Sequence, residues 1–539
     1  MKQDVRFAFP AASLALFVVL AILHTWPLAT DPGVLSRNDN ADTVHHEWIM
    51  AWDAHQILHD PRHLFDSNIF YPERDTLAYS DHLIVQAVMA APLLWSGASP
   101  VLAYNLVLIA GFALTGWTTS LVVWRWTEYR LAAVMSGSLM AFNALTLTRL
   151  PEIQDLHLEF FPLALAALDC LLTRARVRDA VRLAGWFVLQ GLTCGYLLAF
   201  TSVSLVAAVM ARPAEWVGRR LPRTAGLLLL SAALAVLALT PFLLPYLRVS
   251  REHGFTRSLE EVAAFSARLT DYLATGGRLH FSLWSRRFFR HDALFPGVIA
   301  SGLVLTTFAR GIAWKDRRAR MALAFGIVAC AMSFGPAFPL YEPVSRVFPI
   351  MAGIRGAVRF GQLFLAAVAI LAGFGLASLQ RHQGRRTIVV GLVLIFGAHL
   401  EALRAPIRYR PFTGISPVFD QIETNRHEVM ACFPFPRSRE LFKNVDCMLA
   451  STRFWQPLLN GYSSFTPPSY RRHAAALAAF PLEGSIQYLR QLGVTKVIVF
   501  ADQVGASRLS QISHHPDLSL WKADKSVQIY VMSEPTPNP

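Results

Sequence analysis

The run SRNDNADTVHHEWIMAWDAH, residues 36–55, stands behind the first apolar segment of the chain, and its reading decides the rest. It belongs to a polar loop, 29–81, that holds ten acidic side chains and three arginines. Ionisable groups are costly inside hydrocarbon, so in a chain made mostly of uncharged runs this loop is where chemistry is expected.

The surrounding composition is that of a membrane protein. Of 539 residues, 54% are hydrophobic and 16% charged, and the mean hydropathy is +0.37. Uncharged or nearly uncharged runs fall at 7–30, 101–124, 131–148, 156–173, 183–211, 224–247, 293–309, 321–341, 360–380 and 387–403. Such runs match the length needed to cross a bilayer's hydrocarbon core, about 30 Å thick. A shorter run, 83–98, ends at WSGASP and is expected to lie at the interface or to re-enter. The 29 residues of 183–211 are expected to form two short spans turning near Tyr196. The expected fold is therefore an α-helical polytopic membrane protein with about 11 transmembrane helices.

The excess of 50 Lys+Arg over 36 Asp+Glu would suggest nucleic acid in a soluble chain, but here the basic residues cluster between apolar runs and act as topology signals. Nucleic acid is not an expected partner. With the N-terminus inside, the six inner segments carry 20 Lys/Arg in 50 residues, whereas the outer loops 29–81, 149–155, 248–292 and 342–359 carry 15 in 123. That asymmetry obeys the positive-inside rule. The start MKQDVR followed by an apolar run resembles a secretory signal, but the run is long and lacks a small-residue cleavage site, so an uncleaved first helix is expected.

Residues 1–403 thus read as a transmembrane domain and 404–539 as a small soluble domain outside the membrane. EVMACFPF, TKVIVFAD and SVQIYVMS have strand character, while SYRRHAAALAAF and GSIQYLRQLG have helix character, which together predict an α/β module. Cys432 and Cys447 both fall in it, and an oxidising compartment would let them pair; two buried free thiols are the alternative. The tail SEPTPNP is expected to be disordered. The chain contains no zinc-type Cys/His spacing, P-loop, dinucleotide fingerprint or GxSxG elbow, which disfavours nucleotide-driven chemistry.

Within the first loop, Asp39, Asp42 and His46 are spaced three and four apart, so a helix would carry all three on one face. Trp48 and Trp52 are also four apart, suggesting an amphipathic helix along the membrane surface with its carboxylates turned inward. A carboxylate so placed can take a proton from an acceptor hydroxyl. The bland alternative is that Asp39 or Asn40 caps the helix and the other acids are simply hydrated.

A second acidic cluster, RLPEIQDLHLEF, offers Glu152, Asp155, His157 and Glu159 at the predicted outer mouth. Carboxylates and imidazoles of this kind also suit a divalent metal, though no spacing singles one out. Opposite in sign, the outer loop 248–292 holds eight arginines, among them Arg251 and Arg257, and a later loop places Arg355 and Arg359 four apart beside Gly353 and Gly356. Guanidinium groups grip phosphate oxygens bidentately, so basic groups set against the positive-inside trend point to an anionic ligand. Contact with membrane lipid headgroups is the competing explanation, above all for Arg286, Arg287 and Arg290.

This layout resembles the GT-C superfamily of membrane glycosyltransferases, which includes protein O-mannosyltransferases and the aminoarabinose transferases of lipid A. The matching features are a first helix, a long acidic outer loop with ND and D before W...W, an acidic mouth loop, an arginine-bearing late loop and an outer C-terminal domain. The runs DSNIFYPERDTLAYSDHLIVQAVMAAPLL, NLVLIAGFALTG, LLNGYSSFTPPSYRR and FPLEGSIQYLRQLGVTKVIVF are similar to an uncharacterised bacterial subgroup of these proteins.

The resemblance implies transfer of a sugar from a polyprenyl-phosphate donor to a glycan, lipid or protein acceptor at the outer face of the bacterial cytoplasmic (inner) membrane. Asp42, or alternatively Asp39, would be the base, Asp155 or Glu152 the second acid, and Arg355 with Arg359 the holders of the lipid phosphate. Arg251, Arg257, His46 and His157 are further candidate substrate contacts. The family commonly sets an Asp directly beside a Glu in the first loop, whereas here Asn40 and Ala41 separate Asp39 from Asp42, so the base stays open between the two. The rival readings are a transporter or flippase of lipid-linked sugars, which would carry polar groups at the bilayer midplane, and a non-catalytic envelope-assembly protein.

Overall fold

The computed structural model describes residues 4–254, 256–290, 292–348, 351, 353–379, 384–423 and 428–533, with backbone alone for 4–8. The tail from Glu534 onward lies outside the described residues. Two compact units form. One contains the chain up to Pro32, Asn105–Phe242 and Thr256–Tyr409; the other contains Gly33–Tyr104, a short stretch beginning at Leu243, and the chain from Arg410 onward.

Four helices in the described residues are long and apolar enough to cross a membrane: Pro100–Thr127, Arg130–Thr148, Gly218–His253 and Ala357–Leu379. Shorter apolar helices run over Phe9–His24, Ile84–Trp95, Gly195–Met210 and Val298–Ala309. The long run at 183–211 does divide in two, as Val177–Thr193 and Gly195–Met210, and the break falls at Cys194 rather than at Tyr196. The cause is local: the Thr193 hydroxyl donates to Gln190 O at 2.6 Å and the Gln190 amide donates to Thr193 Oγ1 and His157 O, so side chains compete with the helical ladder.

The helix Gly361–Leu379 is apolar on every side and buried along nearly its whole length, the mark of an element at the centre of a bundle. The first helix, Asp4–His24, is seated just as firmly. Phe17 is fully buried where Gly116 and Gly137 let two other helices close on it; a Cβ on Gly137 would stand 2.3 Å from Gly116 O. Trp117 Nε1 also donates to Pro10 O at 2.9 Å. By contrast, Leu229, Val236 and Leu237 on the helix Leu221–His253 are 70%, 65% and 74% exposed, a face suited to lipid. Some basic residues of the predicted inner segments have structural partners: the fully buried Arg212 donates to Asp169 at 2.6 Å and to Glu215 at 2.9 Å, and Arg318 reaches the other Asp169 oxygen at 2.9 Å.

In the second unit, a four-stranded sheet has the order Val429–Phe433, Val494–Phe500, Val527–Met532, Leu518–Ala523. The first pair is parallel, with Cys432 opposite Ile498, and the others are antiparallel, with Ile498 opposite Ile529. Three of the strands and the helices Pro468–Ala476 and Glu483–Gln491 fall where the α/β pattern predicted. Leu518–Ala523 and the helices Val445–Ser451 and Ala506–Ser513 are additional. Cys432 and Cys447 are joined as a disulfide, which ties the start of Val445–Ser451 to the first strand. The expected soluble module does not stand by itself: Arg410–Pro411 pairs with Leu35–Ser36 of the first polar loop, and Tyr71 N donates to Leu458 O at 2.8 Å.

Candidate active site

The first polar loop is organised around the helix Ala41–His59, hereafter the loop helix. Asn40 is its cap, accepting from Asp42 N at 2.8 Å, and Pro61 follows its end. Asp39 therefore lies one residue outside the helix, exposed and 3.2 Å from Arg37 Nε, and does not share a helical face with Asp42 and His46. A second expectation is also corrected: every residue from Thr43 to Ala54 is buried, so the loop helix is not amphipathic along a membrane surface. Its sequence explains this, because Val44, Trp48, Ile49, Met50 and Trp52 leave no polar stripe wide enough to face water.

Asp42, in the helix's first turn, is only partly buried, and its Oδ1 accepts a 2.7 Å hydrogen bond from the Tyr462 hydroxyl. Packing of Val44 against Val445 and Leu449, with Tyr462 alongside, brings these segments together. His45 stands edge-on to Tyr462 at 5.3 Å, and His46, also buried, is 5.9 Å from His45. Two deeper carboxylates share the helix. Glu47 accepts from Asn38 Nδ2 at 3.2 Å and burial pushes its pKa up to about 8; Asp53, fully buried with no hydrogen-bond partner among the described residues, is raised well above the carboxylate range by the same desolvation. Sequence reasoning missed Tyr462, although it lies inside LLNGYSSFTPPSYRR.

The other unit holds the mouth residues. Arg359 donates to Glu152 at 2.9 Å and approaches Asp155 at 3.5 Å; Arg149 reaches Asp155 at 3.5 Å and Asp292 at 2.5 Å. Asp155 is buried and Glu152 half-buried, so this is a network of two guanidiniums and three carboxylates. His157, two residues on, is fully buried and 2.9 Å from Glu159 Oε1.

Arg355 and Arg359 do not share a regular helical turn. Gly356, at φ −89 and ψ 77, interrupts the chain, and Ala357–Phe360 is a 3-10 turn. Tyr196 joins them instead: its hydroxyl accepts from Arg355 N at 3.2 Å and Gly356 N at 3.4 Å, and its ring lies 4.7 Å beneath the Arg359 guanidinium. The Arg355 guanidinium, half-buried, sits 4.5 Å over the Phe265 ring and meets no carboxylate among the described residues. Arg257 is paired with Glu261 at 2.9 Å, and Arg251 is exposed near the end of its helix. Arg248, not singled out from sequence, forms a two-pronged bond with Asp75 at 2.6 and 2.7 Å. Arg286, Arg287 and Arg290 are exposed, as headgroup contacts would be.

The acids and histidines of these clusters do not gather three ligand atoms for a metal. Among the described residues only Glu483, His515 and Asp517 do so, on the C-terminal module, and Arg490 already holds Asp517 at 2.6 Å.

Backbone comparison with solved structures gives matches along almost the entire chain. Arabinofuranosyltransferase AftD from Mycobacteria superposes with a TM-score of 0.64 at 15% identity, covering 98% of this chain and 40% of that one. The Archaeoglobus fulgidus oligosaccharyltransferase gives 0.53 at 12% identity over 91% and 69%, and ArnT from Cupriavidus metallidurans 0.50 at 14% identity over 98% of both chains. The fold is GT-C-like. This chain thus spans about two fifths of the length of AftD but the full length of ArnT. No protein-family model matches it, and no curated protein matches it in sequence. The GT-C-like fold and the apolar helices together place the protein in a membrane.

Proposed function

We propose that the protein is a glycosyltransferase that moves a sugar from a polyprenyl-phosphate donor to a glycan, lipid or protein acceptor at the outer face of the bacterial cytoplasmic membrane. The observation that carries this reading is Asp42: a partly buried carboxylate at the first turn of the loop helix, oriented by the Tyr462 hydroxyl at 2.7 Å. One carboxylate oxygen is fixed by that bond, and the other, with no hydrogen bond among the described residues, is the proposed proton acceptor.

In the proposed reaction Asp42 takes the acceptor's hydroxyl or amine proton as the acceptor oxygen or nitrogen bonds to the anomeric carbon. The bond from that carbon to the phosphate oxygen breaks, and the electron pair leaves on the lipid phosphate. A single displacement of this kind inverts the anomeric centre. Arg355, which meets no carboxylate among the described residues, and Arg359, held in the acidic network, are on their own unit the cations proposed to hold a lipid phosphate. Glu152 and Asp155, as the second acids, act by holding Arg359 and Arg149 in place. The Cys432–Cys447 disulfide supports the outward location of the second unit, because such bonds persist in oxidising compartments.

The test is turnover of radiolabelled polyprenyl-phosphate sugars by purified protein in lipid, for the wild type and Asp42→Asn. Turnover by the wild type that is lost in a folded Asp42→Asn protein supports the reading. Donor binding without turnover by either protein would instead assign it a carrier or accessory role.

A further inference from the structure

The loop helix has a second feature ten residues beyond Asp42, about 15 Å further along its axis. Within the same compact unit a cleft of about 600 Å³ opens beside Trp52, bordered by Trp455 and Tyr71. That volume is in the ordinary range for a small-molecule site, roughly 300–1,000 Å³. We propose that this cleft binds a neutral oligosaccharide. The proposal reaches beyond sugar transfer, since binding here requires no turnover.

The aromatic side is deliberately built. Trp455 has a left-handed backbone, φ 55, which a bulky side chain seldom adopts. Its N–H donates to Ser451 O at 2.7 Å, and its ring is stacked on His55 at 4.5 Å and 18°. An unusual conformation held in this way keeps an indole at the cleft while the ring remains half-exposed. Flat aromatic faces suit the C–H faces of pyranose and furanose rings, which are apolar patches bounded by hydroxyls.

The polar side offers what those hydroxyls need. Asn68 and Gln456, both more than nine-tenths buried, line the cleft. Their amide N–H groups are committed: Asn68 donates to Ser451 Oγ and Gln456 O at 3.1 Å, and Gln456 donates to Glu423 O at 3.0 Å. Their amide oxygens have no partner among the described residues and are sealed from solvent, so these two side chains brace the wall of the cleft, and hydroxyl recognition falls to its charged groups. At the cleft, the carboxylates of Asp66 and Glu73 can accept from hydroxyls and the Arg74 guanidinium can donate to them. Two carboxylates against one guanidinium favour a neutral ligand over a polyanion or a nucleotide.

The experiment is binding of the full-length protein, in detergent, to an array of immobilised neutral and sulfated hexasaccharides, with calorimetry on the strongest neutral binder. The expected result is binding confined to neutral glycans, weakened at least tenfold by Trp455→Ala and several-fold by Glu73→Gln, and kept by Asp42→Asn. Glu73→Gln keeps the size of a cleft side chain that comes no closer than 4.0 Å to His253 Nε2, so it remains informative if Trp455→Ala fails to fold. No neutral glycan bound, a preference for sulfated glycans, or binding indifferent to Glu73→Gln and to any folded Trp455→Ala would overturn the proposal. So would binding lost on Asp42→Asn, because the glycan would then occupy the Asp42 end of the helix. Loss of turnover with neutral-glycan binding intact bears on the transfer reaction alone.

Discussion

Tyr462 donates its hydroxyl proton to Asp42 across 420 residues of sequence, at 2.7 Å. A hydrogen bond to a charged group contributes roughly 1.5–3 kcal/mol, and 1.4 kcal/mol corresponds to tenfold in rate. Tyr462→Phe is accordingly expected to lower kcat/KM for sugar transfer about tenfold while Asp42→Asn lowers it at least a hundredfold, as loss of a general base does. Initial rates at acceptor concentrations well below KM check this, and equal rates for Tyr462→Phe and wild type would remove Asp42 as the oriented base.

Arg355 and Arg359 should separate experimentally. Removing Arg359 leaves Glu152 and the buried Asp155 short of positive charge, and breaking such a pair costs about 3–5 kcal/mol. Arg359→Ala is expected to lower the Tm in detergent by many degrees. Arg355→Ala, which abandons only a contact over Phe265, should leave the Tm within a degree or two and raise KM for the donor. A reversal of the two phenotypes would exchange their assignments.

Reduction of the Cys432–Cys447 disulfide opens a link across a sequence separation of 15, for which chain-entropy arguments give about 3 kcal/mol. Because Val445 and Leu449 of the tethered helix pack on Val44, the loss is expected to reach Asp42 as well as stability. Cys432→Ser should therefore lower both Tm and turnover, and unchanged turnover at temperatures well below Tm would uncouple the disulfide from the candidate site.

Stability should also depend on pH through Glu47. Its folded pKa, about 8, stands above the value of 4.5 expected in the unfolded chain. Between those two values the folded state retains a proton that the unfolded state releases, so stability falls as pH rises through the window and levels off beyond about 8. Asp53 contributes with the same sign. Glu47→Gln, which keeps an oxygen for Asn38, is expected to raise the Tm at pH 8 relative to wild type and to change it little at pH 5. Parallel Tm curves across that range would rule out Glu47 as a source of the dependence.

Much of the architecture was open to a reader of the sequence because burial in lipid writes itself as length. The uncharged runs gave several of the long helices, and the spacing within the first acidic loop gave the loop helix. What stayed hidden depends on distant partners or on local competition. Tyr462 meets Asp42 only through the packing of Val44 on Val445 and Leu449, which no spacing reveals. Arg359 looked like a free cation because Glu152 and Asp155 lie some 200 positions earlier. The pair Arg355 and Arg359 suggested one helical turn, but the backbone at Gly356 breaks it. The edge strand Leu518–Ala523 escaped because four of its six residues face outward, leaving no alternation to detect.

The lipid-facing helix Leu221–His253 has 33 residues, about 50 Å at 1.5 Å per residue, against a hydrocarbon core of about 30 Å. Its last turns, which carry Arg248, Arg251 and His253, form a continuous rod where the sequence suggested a loop. Hydrophobic mismatch consequently acts on these three side chains directly: a thicker bilayer, or a greater tilt, draws them toward the headgroups as one piece. For this protein, lipid acyl length becomes a variable that sets the height of a basic cluster above the membrane.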